Sequence, residues 1–193
     1  MYPPLFYIAL FIHVISFIIG FGAVIVIDTF GSLWLIKRVK LATVNTVANV
    51  TEKLIWLGWS GLVLSGSVLL YHKGFIDNLT WIKLFFVLML GLNGLFLHSI
   101  KKSMERLGTP EELPKIIMFR TALASAISQL GWWGAISIGF YHRHISSFVS
   151  WPENPWIIIA GVFTLIAAAA IIGETLLRNK AQSIGIDQLT ENI

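Results

Sequence analysis

A few titratable residues interrupt an otherwise apolar chain, and their places limit its chemistry. His13 lies in the stretch FIHVISFIIGFGAVIVIDTF, Phe11 to Phe30, with Asp28 near its far end. An unpaired polar group in hydrocarbon costs several kcal/mol, so an ionisable residue within a span marks a partner, a ligand or a path. Counting about 1.5 Å per helical residue places His13 roughly 12 to 15 Å below the outer surface. His72, Lys83, His142 and His144 approach it from the same side, whereas His98 is level with Asp28, Arg120 and Glu174. The chain therefore divides into an outer histidine-rich layer and an inner charged layer.

The outer layer suggests a b-type haem. Haem iron takes one or two axial ligands, commonly imidazole, and a bundle lined by small residues leaves room for a porphyrin. His13 is the axial candidate, with His142, His72 or Lys83 opposite and with Arg143 and Lys83 placed to meet propionates. The chemistry would be electron transfer, or oxidation of a porphyrin, by a membrane oxidoreductase. The chain has no cysteine, which excludes disulfides, thiolate metal sites and covalently attached haem. A second reading makes His13, His72 and His142 nitrogen ligands for copper or zinc. Met89, Met104 and Met118 do not form the methionine ladder of a copper(I) pathway. In the inner layer, Asp28 with His98 or Arg120 is a proton relay, part of the path of an ion or small-solute transporter, or a neutralising pair that locks helices. A third reading is a membrane scaffold, with His13 bonded to a neighbouring helix and His144, beside Arg143, wet at the interface.

These residues must be carried by membrane helices. The 193-residue chain is 56% hydrophobic and 12% charged, with a mean hydropathy of +0.78, which is the polytopic membrane class. Five apolar runs are long enough to cross the core: Leu5 to Leu35, Leu54 to Tyr71, Trp81 to Ile100, Ile116 to Tyr141 and Pro155 to Leu177. Continuous apolarity without period-two alternation makes them helices, so the class is all-α, a single five-helix bundle domain with a polar tail from Arg178 to Ile193. The N-terminus lacks a basic leader and a small-residue cleavage site, so the first span is expected to be retained.

Charge sets the topology. The net charge of +4 comes from residues at the ends of apolar runs, which is a topological signal and not a nucleic-acid surface. Lys37, Arg38, Lys40, Lys53, Lys101, Lys102, Arg106, Lys115, Arg120, Arg178 and Lys180 share one side, against Lys73, Lys83 and Arg143 on the other. The rule that positive loops stay inside puts the N-terminus outside and the C-terminus in the cytoplasm of an inner-membrane protein. Trp81, Trp151, Trp156 and Tyr141 then mark the outer interface.

Helical spacing aligns His13, Ser16, Gly20 and Val24 on the first run and Gly58, Gly61, Ser65 and His72 on the second. On the fourth it aligns Ser125, Ser128, Trp132 and Gly139. Small residues joined to a hydroxyl or imidazole are a packing face, so the histidines are expected to look into the bundle.

The opening IHVISFIIGFGAV resembles the first helix of the HemJ type of protoporphyrinogen oxidase, and Trp81-Ile-Lys83-Leu84-Phe-Phe-Val87-Leu88 resembles that family's third-helix "W..KL..VL" pattern. Similar four-helix patterns occur in copper-resistance membrane proteins of the CopD kind. The resemblance implies that His13 and Lys83 are the pair placed around haem b, with a porphyrin or an electron-transfer protein as partner. Asn93 stands where the family has a histidine ten residues after the lysine, and His98 is five positions out of that register. The family's motif at the end of the first helix is not reproduced by Asp28-Thr-Phe-Gly31, and the fifth helix is additional.

Overall fold

The protein, described by a computed structural model over residues 3–106, 114–144 and 153–190, is all-helical among the described residues. The side chains of residues 104–106, 142–143 and 181–190 lie outside that description. In chain order the helices are α1 (Pro4–Leu35), α2 (Leu41–Lys73), α3 (Asn78–Arg106), α4 (Lys115–His144) and α5 (Pro155–Thr190). Four of them, α1, α2, α3 and α5, are long and apolar enough to cross a membrane. Helix α4 falls short because Thr121, Ser125, Ser128 and Gln129 punctuate it. Three of these side chains make bonds that join α4 to its neighbours.

The first helix matches its apolar run, whereas α2 begins at Leu41 instead of near Leu54 and α5 continues past Leu177 to Thr190. Hydropathy reports depth in a bilayer, while a helix continues as long as its backbone bonds are made. The first turns of α2 are polar yet regular, with Thr46 and Thr51 hydroxyls donating to the carbonyls of Ala42 and Val47.

Helices α1 and α2 form one close pair and α3 and α4 another, with α5 leaning on the second. The first pair is closed by small residues. A Cβ added to Gly58 would lie 2.6 Å from the Gly20 Cα, and one added to Gly61 would collide with Ser16. Such backbone contact is open only to glycine-faced helices. Between α2 and α3 the spacers are large: Trp59 lies over Gly91 and donates to the Val87 carbonyl at 2.8 Å, while Trp56 lies over Gly94. In the second pair, buried Asn93 donates to the Ala124 carbonyl at 2.8 Å and to Ser128 Oγ at 3.0 Å. The asparagine at this position is therefore a helix-locking residue, fully used by α4.

The pairs meet around Trp132, which is 1% exposed and packs with Phe21, Val24, Leu62 and Leu90. A second cluster of Ile82, Phe86 and Ile138 receives Ile158, Ile159 and Val162 of α5. Arg120 and Glu174 complete the α4–α5 contact at 2.7 Å.

A compact turn joins α2 to α3. Gly74 takes the left-handed φ of 74° that ends α2, and Asp77 caps α3 by accepting from the Thr80 backbone N–H at 2.8 Å. Lys73 pairs with the same carboxylate at 2.8 Å. Partial burial opposes ionisation of Asp77, but the hydrogen bonds from Lys73 and Thr80 outweigh it and bring the carboxyl from 3.8 down to about 2.

Candidate functional site

The two layers expected from the sequence lie on either side of the Trp132 cluster and differ in construction. At the His13 end the histidine faces α2. Its Nδ1 lies 3.0 Å from Ser65 Oγ, and Ser65 in turn donates to the Gly61 carbonyl at 2.5 Å. The contact orients the ring, and which atom of the pair donates is set by the imidazole tautomer. The ring also lies against Gly66.

His72 follows the same α1–α2 seam outward. It packs edge-on against Phe6, and its Nδ1 lies 2.9 Å from the Val68 carbonyl of its own helix. His13 meets Ser65 while His72, farther out on α2, meets Phe6, a rise of roughly 10 Å along the helix. Lys83, on α3, lies within coulombic range of His13, with its Nζ beside Gly139. The side chains of His142 and Arg143, and the whole of Trp151, are outside the described residues. Among the described residues no three histidine or carboxylate side chains converge as a metal site. This end therefore offers an oriented imidazole at His13, with Lys83 nearby and His72 farther out along the seam.

The Asp28 end is open. A cleft of about 370 Å³ runs between α1, α2, α3 and α4. Its walls are apolar: Val24, Ile27 and Leu35 from α1, Leu41, Val44 and Ala48 from α2, Leu97 from α3 and Met118 from α4. Trp34 and Trp56 add aromatic faces. Such a cavity, mostly apolar with a few convergent polar groups, is the usual form of a small-molecule site.

Those polar groups are Asp28, Glu52, His98 and Lys101, with Ser32 on α1, Asn45 and Thr51 on α2, and Thr121, Ser125 and Ser128 on α4. Asp28 accepts from Ser125 Oγ at 2.7 Å and from Gln129 Nε2 at 2.6 Å, one donor on each carboxylate oxygen. Glu52 accepts from Lys101 at 2.6 Å and lies 2.8 Å from His98 Nδ1. The inner residues are thus distributed over separate contacts. Asp28 bonds to neutral α4 side chains, His98 faces Glu52, and Arg120 pairs with Glu174, so the structure does not bring Asp28 together with His98 or Arg120 as a bonded pair.

Glu52, Ser125, Gln129 and Ser65 hold these sites and were missed as site residues from sequence. Glu52 lies ahead of the apolar part of α2, in a stretch that hydropathy assigned to a loop. The spacing of Leu41, Val44, Ala48, Thr51 and Ile55 was the available signal, because it repeats as one face of a helix.

Comparison of the chain with protein-family models, with characterised proteins and with solved structures finds no match. Geometry alone must carry the functional reading.

Proposed function

We propose that this is a polytopic inner-membrane protein, N-terminus outside, that binds a small solute in the cleft at the Asp28 end and acts as its transporter or membrane receptor. The observation that carries the reading is the cleft itself: a large, apolar-walled opening whose few polar side chains come from all four surrounding helices. The positive residues cluster at this end, which places the mouth of the cleft toward the cytoplasm. In this reading all five helices cross the bilayer, α4 turning Leu130, Trp133, Ile136 and Phe140 outward.

Filling the cleft tests the reading. A Cβ on Gly31 would meet no atom within 4 Å, so Gly31→Trp places a large side chain in the opening without a backbone collision. Solutes that raise the melting temperature of the purified protein are expected to lose that effect in Gly31→Trp while the variant remains folded. Undiminished stabilisation in Gly31→Trp would place the binding elsewhere.

A second reading is haem b at the other end, with His13 as axial ligand and Lys83 as ligand or propionate partner. It is supported by the Ser65 contact, which holds the His13 imidazole in a fixed orientation on the α1–α2 seam. When bound there, haem would supply one-electron chemistry. The visible spectrum of protein purified from haem-replete cells separates the readings. A Soret band lost in His13→Ala establishes haem, and a colourless protein removes it.

A further inference from the structure

We infer that the cleft selects a monovalent lipophilic cation, such as an aryl or alkyl ammonium, with Asp28 as its counter-ion. The inference rests on the cleft being the binding site and concerns which solute it takes.

The charges lining the cleft do not balance. Two carboxylates, Asp28 and Glu52, face it with one lysine, Lys101, and the imidazole of His98. Lys101 and His98 both lie against Glu52. Asp28 has no cationic partner among the described residues, since its two bonds come from a serine hydroxyl and a glutamine amide. Both contacts are to neutral groups, one on each oxygen, so they orient the side chain without supplying a counter-charge. A charge held in this way inside an apolar opening is stabilised further by any cation that can enter.

The walls restrict which cation fits. A transition-metal ion is usually held by three or more histidine or carboxylate side chains, and no such cluster forms among the described residues. The apolar sides from Val24, Leu35, Val44 and Leu97 suit a hydrocarbon body, and Trp34 and Trp56 line the cleft with aromatic rings, which attract a poorly hydrated cation. An organic monocation satisfies all three features: one positive charge, an apolar body and contact with aromatic rings.

The test uses the full-length native protein in detergent and a matched pair of probes. Phenylpropyltrimethylammonium carries the charge, and its tert-butyl analogue, with carbon in place of nitrogen, has the same shape without it. Titration calorimetry is expected to show the cation binding roughly tenfold tighter or more than the neutral analogue, with Asp28→Asn removing most of that difference. Equal affinity for the two probes would overturn charge selection and leave the cleft as a neutral-solute site. Tighter binding of a carboxylate analogue would overturn it as well. If neither probe binds and Gly31→Trp changes nothing, the cleft reading fails with it. Because the probe comparison is made on the native chain, it does not depend on Asp28→Asn folding.

Discussion

The His13 seam and the Asp28 cleft are built on the same two helices, and their difference lies in what separates the helices from their neighbours. Toward His13, Gly20, Gly58, Gly61 and Ser16 let α1 and α2 touch backbone to backbone, and the histidine is held against that surface. Toward Asp28, tryptophans space α2 from α3, and polar ties span the gap: Asp28 to Ser125 and Gln129, and Glu52 to Lys101. A polar group in a closed seam has its partner chosen for it, whereas one beside an opening can exchange its partner for a ligand. The two ionisable residues of the first helix therefore have different prospects despite similar sequence surroundings.

Substitution of glycines breaks the comparison most directly. Gly58→Leu forces α1 and α2 apart and should cost about 3 kcal/mol or more, read as loss of folded protein in a detergent melt. Gly31→Leu, in open space, should stay within about 0.5 kcal/mol of the native chain. Similar losses at both positions would show that the two regions are packed alike. Comparable in size is Trp132→Ala, which removes the buried ring between the two ends and should cost about 3 to 5 kcal/mol. A smaller, pH-dependent effect concerns the turn at the His13 end. Asp77 titrates at about 2 in the folded protein against an ordinary 3.8, so its stabilising contribution is complete above pH 4 and is lost as pH falls toward 2. Asp77→Asn should flatten that part of the pH–stability curve, and an unchanged curve would show that the cap does not hold the turn.

The fold was legible from the sequence to the extent that apolarity and small-residue spacing report on it. The helical class, the extent of α1 and the inward face formed by Ser16, Gly20 and Val24 all followed from those patterns. The prominence given to histidine did not extend to geometry. His13 on α1 and His72 on α2 both lie along the α1–α2 seam, but one meets Ser65 and the other Phe6, because residues on inward faces need not lie at one depth. The cleft was hidden for a different reason. One of its walls is the polar beginning of α2, which no hydropathy window marks as helix, and Asp28 meets Ser125 and Gln129 across a separation of 97 and 101 residues. Pairing over such distances is set by how the helical pairs dock, which depends on Trp59 and Trp132 filling space between them.

The central claim is that the Asp28 end is open to solutes and the His13 end is closed. The native chain contains no cysteine, so single cysteines can be introduced without background. In reconstituted vesicles, a water-soluble maleimide is expected to label Gly31→Cys and Ala48→Cys, in the cleft, at least about tenfold faster than Gly66→Cys, which faces the His13 ring. Comparable rates at all three positions, or faster labelling at position 66, would contradict the account.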